Sequence, residues 1–143
     1  MVSAASGGGH RVVGMDSKEF VRIRHYLGKT QAQLARMLGV SPKAVQSFEQ
    51  GWRNIPPHAE RQLLFLLYLK RQPEEAGKKP CWETMECGDE QRQQCTAWEL
   101  RAGNLCWFTN GTVCTGAPQP TWHQKMRLCR QCEVFASLVP PVA

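Results

Sequence analysis

The chain has 143 residues, enough for one ordinary domain or two small ones, and neither small domain could bury a large core. Residues 1–80 contain thirteen Lys and Arg against six Asp and Glu, whereas residues 81–143 contain five against six. The first part therefore suits a polyanionic partner, and the second has no electrostatic reason to contact DNA. Residues 63–69, the longest apolar run, are too few to span a bilayer, and residues 1–13 lack the apolar core of a secretory signal, so we expect a cytoplasmic protein.

The chain begins with a small, Gly-rich stretch, residues 1–14, which we predict to be a disordered tail. A first helix follows, because Phe20, Ile23 and Leu27 recur along one face at the helical period. Gly28 is placed to end it. We expect this helix to be a scaffold for the elements that come next.

Two short helices joined by a tight turn are predicted after this scaffold. Thr30 and Gln33 have the spacing of a capping box, which starts a helix, and Gly39 ends it. Ser41 is suited to cap the second helix, and Pro42 to its first position, where the missing N–H costs nothing. Such a pair is the core of a helix-turn-helix.

The second of these helices presents a polar and largely uncharged face. Val45 and Phe48 should point to the core, so the remaining side chains are expected to face outward. These are Lys43, Ala44, Gln46, Ser47 and Gln50. Side chains of this kind hydrogen-bond to the edges of bases.

The pattern resembles the Cro/phage-repressor type of helix-turn-helix, also called the xenobiotic-response-element type, over residues 17–71. The matching residues are Gln31, Ala35, Gly39, Val40, Ser41, Val45, Phe48, Glu49 and Gly51. The resemblance implies an all-α domain of four to five short helices over residues 15–71, which regulates transcription by binding double-stranded DNA. It places Pro42, Lys43, Gln46 and Ser47 nearest the bases, within a recognition helix at residues 41–50, and gives phosphate contacts to Gln31, Arg53 and Asn54. A plain helical hairpin, or a repressor-like domain that binds protein, is the alternative.

The next predicted helix, residues 58–71, contains the run LLFLLYL and is apolar around most of its circumference. One small four-helix core cannot cover all of that surface. The surplus must be buried against a second copy of the chain or against the cysteine-rich module at residues 81–136. We favour a homodimer contact, because repressors of this type bind paired half-sites as dimers. Residues 72–80 have the composition of a linker.

All seven cysteines follow this linker, between residues 81 and 132. They are Cys81, Cys87, Cys95, Cys106, Cys114, Cys129 and Cys132. A cytoplasmic protein keeps its thiols reduced, so they are interpreted as metal ligands or redox sensors before disulfides. The two Cys-Trp pairs, at residues 81–82 and 106–107, make residues 81–135 resemble the small "two-CW" cysteine-rich domain, a resemblance that names no ligand.

Four hypotheses compete for this module. The first is a [4Fe–4S] cluster held by four thiolates, either Cys106, Cys114, Cys129 and Cys132 or a set that uses Cys81 and Cys87. The second is structural zinc, for which His123 would be an eighth ligand, and Cys129-x2-Cys132 has the strongest metal-binding spacing. The third is a thiol–disulfide switch, and the fourth is a packing role alone. The link of the two-CW domain to regulators of anaerobes favours iron–sulfur slightly.

The sequence predicts a small, irregular, metal-bound domain over residues 81–136, with a tail at residues 137–143. Asn110-Gly111 indicates a β-hairpin, in which Cys106 and Cys114 would face opposite sides of the ribbon. No nucleophile elbow, phosphate loop or acid–base pair is present, so we do not expect an enzyme. The expected function is a DNA-binding regulator that senses redox state, oxygen or metal, and the alternative is an antitoxin or adaptor with structural zinc that binds a protein partner.

Overall fold

The computed structural model describes residues 14–71, 80–114, 117–140 and 142, and within these ranges the chain is helical and contains no strand. The helices are α1 (Ser17–Leu27), α2 (Gln31–Leu38), α3 (Pro42–Gln50), α4 (Pro57–Arg71), α5 (Cys81–Thr84), α6 (Asp89–Gln93), α7 (Thr96–Glu99), α8 (Trp122–Cys129) and α9 (Glu133–Leu138). None of these described helices is long and apolar enough to cross a membrane. The predicted tail and linker fall largely on residues 1–13 and 72–79, which lie outside the described part of the chain.

The chain divides into two compact units between Leu63 and Leu64. We call Met1–Leu63 the N-terminal unit and Leu64–Pro141 the cysteine-rich unit. The sequence indicates a boundary after Arg71, whereas the structure divides the chain about two helical turns earlier, inside α4.

The three helices of the N-terminal unit that precede α4 begin and end as their sequences predict. The Thr30 hydroxyl accepts the Gln33 backbone N–H (3.1 Å), and the Gln33 side chain accepts the Thr30 N–H (3.0 Å), which confirms the capping box. Gly39 then adopts φ +73°, a left-handed conformation that costs a glycine little. The Ser41 hydroxyl caps α3 by accepting the Ala44 N–H (3.0 Å). The turn of the predicted helix-turn-helix is therefore confirmed in detail.

An aromatic contact lies at the centre of this unit. Phe20 of α1 and Phe48 of α3 are fully buried, and their rings meet edge to face with centroids 5.7 Å apart. Leu34 of α2 and Val45 of α3 are also fully buried. Their burial holds α3 against the scaffold, because these apolar side chains leave water only when the helices stay together.

Much of the apolar run of α4 is covered within the chain itself. Leu63 is buried in the N-terminal unit, and in the cysteine-rich unit the Phe65 ring lies 5.0 Å from that of Phe108 and the Tyr68 ring lies 6.1 Å from that of Trp107. Packing on the cysteine-rich module, which we ranked second, is thus the arrangement observed. Much of the apolar surface that suggested a homodimer contact is buried in this way, Leu69 stays 42% exposed, and the homodimer itself remains a prediction.

The β-hairpin predicted at residues 110–111 is wrong, since no strand occurs in residues 105–114. Leu105 instead accepts the backbone N–H groups of Phe108 (2.9 Å) and Thr109 (3.2 Å), which closes a turn. The Gly111 carbonyl accepts the Thr96 N–H (3.2 Å) at the start of α7. Backbone groups that a hairpin would pair with each other are therefore used by turns and by a neighbouring helix.

The core of the cysteine-rich unit includes Trp107 with residues from α8 and α9. The Trp107 and Phe135 rings are 5.9 Å apart, and Met126 and Leu138 are almost fully buried. Helix α9 continues two residues past the predicted end of the domain at residue 136. Leu138 is buried, so part of the segment predicted as a tail belongs to this core.

Candidate nucleic-acid interface and thiol-lined cavity

One face of α3 is polar and open to solvent. Pro42, Lys43, Gln46 and Gln50 are exposed, together with the capping residue Ser41. Within the described residues, Lys43 forms no ion pair and the side-chain amides of Gln46 and Gln50 form no hydrogen bond. They are therefore free to meet hydrogen-bonding groups of a partner.

Two residues predicted to face outward from α3 are buried. Ala44 is 7% exposed and Ser47 is 9% exposed, so the expectation that both belong to the open face is wrong. Successive residues of a helix are separated by about 100°, and Ala44 and Ser47 each precede a core residue, Val45 and Phe48. The inward stripe of α3 is thus wider than the sequence pattern indicates.

The orientation of α3 is fixed by polar contacts to its Glu49. The Arg24 side chain of α1 donates to both carboxylate oxygens, from Nε to Oε2 (2.5 Å) and from Nη2 to Oε1 (3.1 Å). Gln31 Nε2 of α2 donates to Oε1 (2.9 Å). Gln31, which the family resemblance assigns to a phosphate, therefore stabilises the protein internally in this structure, with one amide N–H engaged by Glu49.

The loop after α3 extends the open face. Gly51, Trp52 and Arg53 donate their backbone N–H groups to the last turn of α3, and the Arg53 guanidinium lies 5.3 Å from the Phe48 ring centroid. Arg53 and Asn54 are exposed, as phosphate contacts must be. Trp52 is 69% exposed beside them, and sequence reasoning missed it. The available signal in the sequence was that Trp52 directly follows Gly51, the residue that ends α3, and therefore begins the loop beside the open face.

Residues 24–58 match the helix-turn-helix family model. This helix-turn-helix includes α2, α3 and the loop that follows, and it supports DNA binding. No curated protein and no solved structure matches the chain. The cysteine-rich residues lie outside the match, so the resemblance of residues 81–135 to the two-CW domain stays a prediction.

The seven cysteines are free thiols that line two spaces in the cysteine-rich unit. Cys81, Cys87, Cys95 and Cys114 surround a nearly filled space of about 10 Å³. Four thiols line a cavity of about 240 Å³, which we call the thiol-lined cavity, and these are Cys106, Cys114, Cys129 and Cys132. Cys106 and Cys114 thus lie on one cavity, contrary to the opposite placement that a hairpin would impose.

No described group of three or more His, Cys, Asp or Glu side chains is arranged to hold a single metal ion. The seven predicted metal ligands are therefore gathered in space without forming a tetrahedral site. A zinc ion needs its sulfur ligands at about 2.3 Å from one point. Thiols that are spread around an open cavity lie further apart than such a site requires.

The electrostatics of the thiols differ across the unit. Burial raises the pKa of Cys114 to about 11, and burial also raises the pKa of Cys129, against the opposing effect of the Lys125 ammonium. A side-chain hydrogen bond between Cys81 and Cys106 lowers the pKa of Cys81 and raises that of Cys106. Without a bound group, the cavity thiols Cys106, Cys114 and Cys129 are therefore kept protonated at neutral pH.

Sequence reasoning also missed two residues of the thiol-lined cavity that are not cysteines. Lys125 lines it and is only 5% exposed, with its Nζ donating to Thr112 Oγ1 (2.6 Å). Trp107 lines it and is 0% exposed, and its indole Nε1 has no hydrogen-bond partner in the described structure. For Lys125 a signal existed, because it precedes Cys129 by four residues and so lies on the same face of α8.

Proposed function

We propose that the protein is a sequence-specific DNA-binding regulator of transcription, in which α3 enters the major groove. The observation that supports this most directly is the exposed polar face of α3 within a matched helix-turn-helix. Lys43, Gln46 and Gln50 are suited to base edges, and Arg53 and Asn54 on the next loop are suited to phosphates. The +7 balance of residues 1–80 adds long-range attraction to DNA.

A binding-site selection from random duplex DNA tests this function. The wild-type chain should enrich one sequence, whereas Lys43→Ala with Gln46→Ala should lose that preference and keep salt-dependent nonspecific binding. Lys18→Ala with Gln62→Ala is the matched control, because it removes the same two residue types from exposed positions outside α3. A preference that survives the α3 exchange, or that the control also removes, would contradict this assignment.

The cysteine-rich unit is proposed to hold an anionic, thiolate-bound metal centre, with iron–sulfur preferred to zinc. The residues that line the thiol-lined cavity fit such a group. Besides the four thiols they include Lys125, with its buried ammonium, and Trp107, whose indole N–H has no partner in the described structure. In a cluster each thiolate binds a different iron, so its cysteines lie further apart than around one ion, which suits a cavity better than a closed tetrahedron. When bound, the group would accept or release one electron. The cluster itself would be lost when iron is scarce or when oxygen attacks it.

Linkage from this cavity to DNA would pass through α4. Trp107 lines the cavity, and its ring contacts Tyr68 on the second half of α4. A change in the cavity that moves Trp107 would therefore alter the packing of the helix that follows α3 in the chain, after the loop at residues 51–56. In a homodimer on paired half-sites, this would change the spacing of the two recognition helices.

Anaerobic purification followed by iron, sulfide and zinc analysis of one sample tests the metal centre. Iron and sulfide in equal amounts, with a broad visible absorption, are the expected result. Colourless protein with stoichiometric zinc would replace this proposal with a structural domain, as in the antitoxin or adaptor alternative.

A further inference from the structure

We propose that Lys125 and Trp107 make the thiol-lined cavity an anion site, in which the Lys125 ammonium is the counter-charge of a cluster held by Cys106, Cys114, Cys129 and Cys132. This inference rests on the proposed metal centre and assigns which thiols share it. It also gives a function to a buried ammonium that has no anionic partner in the described structure and to an indole N–H that has no acceptor there.

The first observation concerns the charge of Lys125. Its side-chain partners in the described structure are two neutral groups, the Thr112 hydroxyl (2.6 Å) and the Cys129 thiol, and Lys125 and Thr112 are both buried. Glu133 lines the same cavity, but no ion pair joins it to Lys125 within the described residues. A buried ammonium without an anion is strongly unfavourable, so this position favours a negatively charged occupant of the cavity.

The second observation concerns the hydrogen-bonding character of the cavity. Two of the lining residues carry buried donors: the Lys125 ammonium, which donates to Thr112 Oγ1 and to the Cys129 sulfur, and the Trp107 indole N–H, which has no partner in the described structure. The other lining atoms of the cavity are mainly sulfur and hydrocarbon, including Met85, Leu128 and Phe135. Donors in an otherwise apolar, sulfur-rich cavity suit the sulfur atoms of a thiolate cluster, which accept N–H hydrogen bonds and are tuned by them.

The third observation separates this cavity from the neighbouring space. The space shared by Cys81, Cys87 and Cys95 measures only about 10 Å³, and its charged neighbour, Arg92, is only half-buried and lies over the Trp98 ring (4.8 Å to the centroid). It lacks the room for a cluster, and although Arg92 Nε is buried without a hydrogen-bond partner, the Arg92 guanidinium is compensated by the face of the Trp98 ring. Cys87 and Cys95 are therefore assigned to packing around the Trp98 side chain and not to the cluster.

A positive charge beside a cluster favours its reduced form, because reduction adds one electron and makes the cluster more negative. Removal of the charge in Lys125→Met should lower the ratio of reduced to oxidised cluster at a fixed potential about tenfold, equal to about 59 mV for a one-electron couple. In the metal-free protein, Lys125→Met should instead raise the stability of the fold. A methionine stabilises that state, because it removes a buried ammonium that has no anion.

The experiment uses the full chain, reconstituted with iron and sulfide under argon. Lys125→Met is compared with wild type and with Arg127→Met, which removes an exposed charge from the same helix. Iron content, the midpoint potential and the melting temperature of the metal-free form are measured. Lys125→Met should lower the midpoint potential or the iron content and raise the metal-free melting temperature, whereas Arg127→Met should change none of the three.

Each failure has its own pattern. A wild-type chain that binds no iron would overturn the proposed metal centre itself. A cluster that forms with the same potential and iron content in Lys125→Met would overturn the role of Lys125 alone, as would a metal-free Lys125→Met less stable than wild type. Cys129→Ser and Cys132→Ser should lose iron, while Cys87→Ser and Cys95→Ser keep it, and the reverse would overturn the choice of cavity.

Discussion

Arg24 and Glu49 join the scaffold helix α1 to the recognition helix α3 through two hydrogen bonds to the two oxygens of one carboxylate. Both side chains are largely removed from solvent, and Gln31 donates a third hydrogen bond from α2. The two helices that place α3, namely α1 and α2, therefore both contact it at Glu49. Because the carboxylate is neutralised by Arg24, the negative charge on α3 does not oppose an approach to phosphate.

Loss of either partner should destabilise the N-terminal unit. Glu49→Gln or Arg24→Met should lower the free energy of unfolding by about 2–4 kcal/mol, because the remaining charge stays buried without its partner. The double variant should cost less than the sum of the two, with a coupling energy of at least about 1 kcal/mol. Urea unfolding measures these values, with exposed Lys18→Met as a control near zero. Strict additivity would show that the pair contributes nothing.

Gly103 is predicted to be intolerant of any side chain. A Cβ built there would lie 2.6 Å from Pro80 Cβ and 2.8 Å from Pro80 Cα. The carbonyl of Gly103 itself accepts the Cys81 N–H (3.2 Å), which fixes this close approach. Gly103→Ala should destabilise the cysteine-rich unit by about 2 kcal/mol or more, since backbone must move. Gly88→Ala is the control, because that Cβ meets nothing within 4 Å, and it should cost less than about 1 kcal/mol. Equal unfolding midpoints for the two variants would refute the close approach.

The second half of α4 should couple the state of the cysteine-rich unit to DNA affinity. Phe65→Ala removes the ring that packs on Phe108 and should destabilise this unit by about 2 kcal/mol, because Phe65 is half-buried. It should also weaken operator binding although Phe65 is not on the DNA face. Exposed Leu69→Ala, on the same helix, should alter neither property by more than about 0.5 kcal/mol. Unchanged operator affinity in Phe65→Ala would rule out coupling through α4.

Trp52 offers an optical test of the interface. It is the only tryptophan in residues 1–80 and the most exposed large apolar side chain described. Acrylamide should quench Trp52 fluorescence readily in the free protein, and bound operator DNA should reduce that quenching, since Trp52 is next to the proposed phosphate contacts Arg53 and Asn54. In Trp52→Phe the DNA-dependent part should disappear. Quenching that DNA leaves unaltered in the wild type would place this loop away from the duplex.

The N-terminal unit was predictable from sequence because its signals are local. Thr30 with Gln33, Ser41 with Pro42, and Gly39 each specify one cap or turn within a few residues, and all are observed. The failures there are tertiary. Nothing local indicates that Ser47 is buried, or that Gln31 donates to Glu49 eighteen residues later.

The cysteine-rich unit was predicted less well because its contacts are distant in sequence. Asn110-Gly111 is a strong local hairpin signal, yet Gly111 is used to accept the Thr96 N–H, and a Cβ there would meet Thr96 Oγ1 at 2.2 Å. The glycine is needed for that close approach as well as for its positive φ. Lys125 escaped notice since a lysine is ordinarily exposed; its spacing to Cys129 places it on the same helix face, but its burial in the thiol-lined cavity depends on contacts distant in sequence.

The division of the chain inside α4 limits how this protein could have been assembled from others. A fragment that ended after Arg71 would keep the whole helix-turn-helix but would leave Phe65 and Tyr68 without Phe108 and Trp107. Such a fragment would expose the apolar surface of α4 that carries Phe65 and Tyr68, and it would be prone to aggregate. The DNA-binding part is thus not a cassette that recombination could transfer alone, and a productive exchange would have to bring a new cover for α4.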